Sequence, residues 1–151
     1  KKLGSKLSLD RFHMTGAMPI DDMPKVYCDA DIFVFPSVSE VHPMVAIEAA
    51  ASGLPLIVAK DPAYKGVVID NKNGYVLPLD KEIFAKTVVK LLKNPALMKK
   101  FSKNSPKIVE KNFGSDLLIN KLIAFYDQTI REYQRKSSSK HSNSYSPTLP
   151  L

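Results

Sequence analysis

Two short runs along the chain are apolar at consecutive positions, Asp31-Ile32-Phe33-Val34-Phe35-Pro36 and Leu54 to Ala59. An apolar run without alternation reads as a strand covered on both faces, which suits a parallel sheet lying between helices. Arg11 to Thr15, closed by Gly16, and Tyr75 to Leu77 read as two further brief strands. Helical patterns fill the intervals. Lys1 to Leu9 reads as the end of a helix. A second starts at Pro19-Ile20-Asp21-Asp22 and runs to about Cys28, with Asp21 as its expected N-cap. A third covers Pro43 to Ser52 and is closed by Gly53. Asp61-Pro62 opens a loop, Gly66 to Ile69 is a short strand or turn, and Asn71 to Gly74 is a turn in which Gly74 is expected to supply positive φ. Three helices close the pattern, at about 81–93, 95–111 and 115–135, the last capped by Ser115 and carrying an apolar stripe of Leu118, Leu122, Phe125, Tyr126 and Tyr133. Helices alternating with such strands predict an α/β fold, a doubly wound Rossmann-like parallel sheet with helices on both faces.

Composition narrows the class. The 151 residues are 44% hydrophobic and 25% charged, which fits one soluble domain with a core. No apolar run approaches the ~20 residues of a membrane span. Lys1-Lys2 leads into a polar helix, so no signal peptide is expected. A single cysteine, Cys28, excludes a disulfide scaffold and a Cys-rich zinc site, and it is expected to be a small core residue. The net charge of +7 is uneven: residues 1–80 hold 8 Lys/Arg against 10 Asp/Glu, and residues 81–136 hold 13 against 5. Those lysines recur at helical spacing and read as a solvated face, with nucleic acid disfavoured and a weak anionic-membrane contact left open. The domain is expected to span residues 1–136, N-terminally incomplete, with a disordered Ser-rich tail at 137–151.

In doubly wound sheets, ligands bind beyond the carboxyl ends of the strands. Glu40 and Glu48 sit eight residues apart around the start of the helix that follows the first apolar strand. Pro43 suits the first helical position, which puts Glu48 about 7 Å further along the axis. The free N–H groups between the two acids make an anion site apt for a diphosphate. Two carboxylates flanking an anion site match a nucleotide sugar. Glu48 lies among Ile47, Ala49, Ala50 and Ala51, so a carboxylate there calls for a role. Glu40 alone would read as a loop acid, and the pairing raises it. Asp29-Ala30-Asp31 precedes a strand rather than ending one, so it reads as helix stop and strand start. His13 reads as structural, and three scattered histidines give no zinc pattern.

The segment Asp29 to Ser37, then Glu40 through Glu48-Ala49, then Ala51-Ser52-Gly53-Leu54-Pro55 resembles the C-terminal half of family 4 glycosyltransferases, retaining enzymes of the GT-B fold. Thr15-Gly16, the helix ending at Tyr27, and Asn71 to Leu77 fit in order, and the resemblance covers roughly residues 8 to 130. It implies a donor-binding domain for a nucleotide sugar. Glu48 would bind the ribose hydroxyls. Glu40 would face the transferred sugar and serve catalysis. Gly16 and the segment His42, Met44 and Val45 would hold the sugar and diphosphate. His42-Pro43 stands where many members have Phe-Gly, and Pro43 offers no amide. The loop from Lys60 to Gly66 departs from the family's glycine-rich, acidic version. The resemblance further implies a UDP- or GDP-hexose donor, a glycan or lipid acceptor bound by an upstream domain, no metal or other cofactor, and a cytoplasmic setting, peripheral at the inner face of a membrane. The final helix would cross back to that upstream domain. A non-catalytic nucleotide-binding or interaction module of the same fold, and a sugar-nucleotide epimerase, are the alternatives. No Gly-x-Gly-x-x-Gly turn follows any strand, which disfavours a dehydrogenase.

Overall fold

The computed structural model describes residues 12–141, with side chains to Ser137. In chain order the elements are α1 (Met23–Asp29), β1 (Phe33–Phe35), α2 (Met44–Ala51), β2 (Leu56–Ala59), β3 (Gly74–Leu77), α3 (Lys81–Leu92), α4 (Pro95–Phe113) and α5 (Ser115–His141). Single 3₁₀ turns at Ile20–Asp22 and Pro62–Tyr64 lead into α1 and follow β2. The described residues fall into two compact units that divide between Val109 and Glu110.

The sheet has the order β1-β2-β3 and is parallel throughout. Phe33 pairs with Leu56 and Leu56 with Gly74, which fixes the register. All four residues of β2 are fully buried, as the unbroken apolar run predicts for a central strand. Period-two alternation divides its side chains between two layers. Ile57 and Ala59 pack with Phe84 and Leu91 of α3 and Phe101 of α4. On the opposite layer Phe33 joins Tyr27 of α1, Ala49 of α2 and Leu54. The doubly wound architecture of the sequence reading is thus present.

Several local expectations are corrected. Residues 12–15 form no ladder with a described strand, and Phe12 and Met14 are exposed, as is His13. A strand needs a neighbour for its N–H and C=O groups, and β1 pairs only with β2 among the described strands. Nor is β1 covered on both faces: its Val34 is exposed. Asp21 is not a cap: a 3₁₀ turn precedes α1, and the carboxylate of Asp22 instead takes Lys25 Nζ at 2.8 Å. Ser115 is the first residue of α5, and the carbonyl of Gly114 before it accepts the Leu118 N–H. Cys28 is exposed rather than in the core. α5 continues to His141, beyond the boundary expected at 136, while residues 1–11 and 142–151 lie outside the described residues. Along α5, Phe125, Tyr126 and Tyr133 are exposed.

Side-chain caps fix the starts of α3 and α4. The Asp80 carboxylate accepts the Glu82 and Ile83 N–H groups at the start of α3, and those bonds hold its pKa below the usual value. Asn94 Oδ1 takes the Leu97 N–H at the start of α4. In α4, buried Ser105 ties the helix to the strand layer by donating to the Leu54 carbonyl at 2.6 Å.

The turn before β3 works differently from the sequence reading. Asn71, with φ of 59°, takes the left-handed conformation, and Gly74 does not. Gly74 is needed for close approach: a Cβ there would run into the Leu56 carbonyl, only 2.8 Å from its carbon. Beside it, Asn73 is fully buried. Its Oδ1 accepts the Ile69 N–H at 2.8 Å and its Nδ2 donates to the Val67 carbonyl at 2.9 Å, while its own carbonyl accepts the Leu56 N–H. Asn73→Ala leaves the buried Val67 carbonyl and the part-buried Ile69 N–H unpaired and is expected to cost about 2–4 kcal/mol in urea unfolding. Gly74→Ala is expected to cost about 3 kcal/mol or more, because the carbonyl it strikes is held in the ladder. Wild-type stability for either variant contradicts this packing.

Candidate functional site

The segment that runs from the end of β1 into α2 carries both acids, Glu40 on the connection and Glu48 in the helix, and the parallel pairing of β1 with β2 sets where it emerges. Ser37 follows the strand end and Glu40 lies three residues on. Ser37 Oγ donates to Glu40 Oε1 at 2.6 Å. The carbonyl of Ser37 in turn accepts the Tyr64 phenol at 3.1 Å. Tyr64 is fully buried and comes from the 3₁₀ turn after β2, whose N-cap Asp61 accepts the Ala63 N–H. Burial raises the Tyr64 pKa, with the nearby charges of Glu40 and Asp61 adding to it. A protonated phenol therefore ties the loop after β2 to the segment bearing Glu40.

Glu48 occupies the second turn of α2, four residues after Met44, or about 6 Å along the axis. It is half-buried, and its Oε2 accepts the Tyr27 phenol at 3.1 Å. Burial, then the hydrogen bond and the charge of Glu48, push the Tyr27 pKa up to about 12. Glu48 and Tyr27 border an apolar groove of about 320 Å³ with Ile20, Met23, Pro24 and Ala51.

Between the acids the backbone differs in part from expectation. Pro43 stands one position before the helix, not in it, and is buried with φ of −80° and ψ of 69°. Its carbonyl accepts the Ala46 and Ile47 N–H groups, and the Met44 N–H turns back onto the His42 carbonyl at 2.8 Å. The Met44 amide is thus spent locally, and the expectation of an open donor there is corrected. The side chains of His42, Met44 and Val45 are all exposed on this turn. Gly16 is exposed with φ of 68°, a conformation glycine adopts at little cost. The structure therefore places Glu40 and His42 on the connection after β1 and Met44, Val45 and Glu48 in the first two turns of α2, with Gly16 on the separate segment before α1.

Three contributing residues were not assigned a role from the sequence. Ser37 stands three residues before Glu40, a spacing that a local reading of hydroxyl and acid could have found. Tyr27 and Tyr64 lie 21 and 27 residues from their partners Glu48 and Ser37. Such pairings follow from the sheet register and carry no local signal. Among the described residues no group of three or more His, Cys, Asp or Glu side chains comes together, and no helix is long and apolar enough to cross a membrane.

Comparison with known proteins bears on the same segment. A sucrose-phosphate synthase structure from Thermosynechococcus elongatus superposes with a TM-score of 0.75 at 27% identity, over 82% of this chain and 31% of that one. The pneumococcal O-GlcNAc transferase GtfA, solved with UDP and GlcNAc, matches in fold with a TM-score of 0.66 at 22% identity, over 82% of this chain and 24% of that one. These neighbours are GT-B enzymes. In sequence, the alpha-monoglucosyldiacylglycerol synthase of Acholeplasma laidlawii is 26% identical across 93% of this chain and 35% of its own length. The capsular polysaccharide biosynthesis glycosyltransferase CapM of Staphylococcus aureus is 26% identical across 78% of this chain and 31% of its own. The chain thus spans about a third of the length of these relatives. The family model described as glycosyl transferases group 1 matches residues 1–108, a span that holds the whole sheet, α2 and both glutamates, and on that match the chain belongs to the group 1 glycosyltransferases.

Proposed function

We propose that the chain is the donor-binding part of a retaining glycosyltransferase that takes a hexose from a UDP- or GDP-sugar. One observation carries this reading. Two carboxylates bracket the start of α2, and each is held by a hydroxyl, Glu40 by Ser37 and Glu48 by Tyr27. Glu48 binds the ribose hydroxyls, the diphosphate lies against the turn from His42 to Val45, and Glu40 faces the sugar, with Gly16 approaching the donor from the opposite segment. The bond from the anomeric carbon to the diphosphate breaks while an acceptor hydroxyl attacks the same face. The carboxylate of Glu40 offsets the positive charge that develops on the sugar. Backbone amides and basic groups of the whole enzyme carry the diphosphate charge, without a metal.

A glycan or lipid acceptor, bound by a second domain, fits relatives named for diacylglycerol glycolipids and capsular polysaccharide. Such an enzyme works in the cytoplasm, peripheral at the inner face of the membrane. A domain that holds only the donor has no acceptor to hand. The purified 151-residue chain is therefore expected to transfer no sugar, and transfer to any acceptor by that chain alone contradicts the division of labour.

The two glutamates separate kinetically in the full-length enzyme. Ribose hydroxyls change little during reaction, so Glu48→Gln is expected to raise donor KM roughly 10- to 150-fold, the worth of a hydrogen bond to a charged group, with kcat less affected. The role of Glu40 belongs to the transition state, so Glu40→Gln is expected to lower kcat with KM less changed. Steady-state kinetics with folding checked by circular dichroism decides. Wild-type kcat and KM in both variants defeat the site assignment.

A further inference from the structure

The Tyr27–Glu48 hydrogen bond joins α1 to α2 across 21 residues, and it is made by a side chain with little freedom. Tyr27 is 6% exposed and packs with Ala49 and Leu54. It meets Phe33 of β1 edge-on, with ring centroids 6.3 Å apart and planes at 69°. Orienting this phenol was therefore completed in folding and is not repeated when a ligand arrives. The O–H points at the one acid of α2, and both residues border the apolar groove beside Ile20, Met23 and Ala51. The carboxylate thus stands at a surface a ligand reaches, while one of its oxygens is held from the core side.

We propose, resting on the donor-site reading above, that Tyr27 is a positioning residue for Glu48: its phenol holds Oε2 and thereby presents the rest of the carboxylate to a vicinal diol, the ribose of the donor. An ionised carboxylate has about four acceptor sites, so one donated bond leaves capacity for both hydroxyls of a diol. Without that bond the Glu48 side chain has three rotatable bonds to fix at the moment of binding, and a half-buried acid loses its partner toward the protein. Because burial and the Glu48 charge keep the phenol protonated to about pH 12, Tyr27 is a donor throughout the working range of an enzyme. A tyrosine that merely filled space would serve packing alone, and nucleotide affinity would not sense its hydroxyl.

The test is a double-mutant cycle in the full-length enzyme, using Tyr27→Phe, Glu48→Ala and the double variant, with UDP and GDP as probes in calorimetry and donor KM and kcat alongside. Tyr27→Phe keeps the ring and its packing. It is expected to weaken binding of the preferred nucleotide about 3- to 10-fold and raise donor KM to match, with kcat within about twofold. In the Glu48→Ala background the same change is expected to have no further effect. The proposal is overturned if Tyr27→Phe binds nucleotide as the wild type does while Glu48→Ala weakens it. Equal weakening by Tyr27→Phe with and without Glu48 also overturns it. If Glu48→Ala leaves affinity intact, the donor-site reading itself fails and the positioning role falls with it. A second measurement leaves Tyr27 in place. Burial, the larger cause of the raised Tyr27 pKa, survives in Glu48→Ala, so that variant is expected to lower the Tyr27 phenol midpoint only in part, and an unmoved midpoint contradicts the bond.

Discussion

The burial of β2 is the constraint on which the rest depends. Four consecutive residues without exposure, Leu56 to Ala59, have hydrogen-bonded neighbours on both edges and helices on both faces. Each large side chain removed from water there contributes about 1.5–3 kcal/mol relative to exposure. The pairing also fixes two distances at once. Register with β1 sets where the chain leaves for Glu40, and register with β3 requires Gly74 to pass close under the Leu56 carbonyl. Buried Asn73 then closes the connection by satisfying Ile69 and Val67, so the central strand does not abut unpaired backbone.

From that strand the site follows as a set of attachments. α2 carries Glu48 on a helix whose Ala46, Ala49 and Ala50 are fully buried, small side chains that allow the helix to lie close to the sheet. Tyr64, just beyond β2, reaches back to Ser37, and Tyr27 reaches across from α1 to Glu48. Both phenols are largely removed from water; one bonds the connection after β1 and the other bonds α2 itself. Two acids that would otherwise be free to swing are thereby referenced to the rigid core, which is what a site for a polar, charged donor demands.

Much of this was legible in the residues themselves, for identifiable reasons. The unbroken run of β2 announced a buried parallel strand, and Gly53, with φ of 87°, closed α2 as its place after Ser52 suggested. Glu40 and Glu48 were found because a helix start between two acids has a chemical meaning. What escaped was nonlocal. Arg11 to Thr15 has strand-like residues, but strand identity depends on a neighbour that composition does not reveal. Gly74 was given a positive φ because turns often need one, whereas the real demand was for room beside Leu56, set by a partner 18 residues away. Tyr27 and Tyr64 look like ordinary core aromatics until the register places their hydroxyls beside the acid-bearing segment. The Met44 amide was expected to be open because helix starts usually leave donors free, yet the turn at Pro43 folds it onto His42.

In the proposed site one nucleotide diphosphate spans the start of α2, from Glu48 in the helix to Glu40 on the connection before it. The most direct test is a crystal structure of the full-length protein soaked with UDP or GDP. The ribose hydroxyls should lie within hydrogen-bond distance of the Glu48 carboxylate, with Tyr27 still on Oε2, and the diphosphate should run along the turn from His42 to Val45 toward Glu40. A nucleotide bound elsewhere on the fold, with Glu48 touching only solvent, contradicts the account.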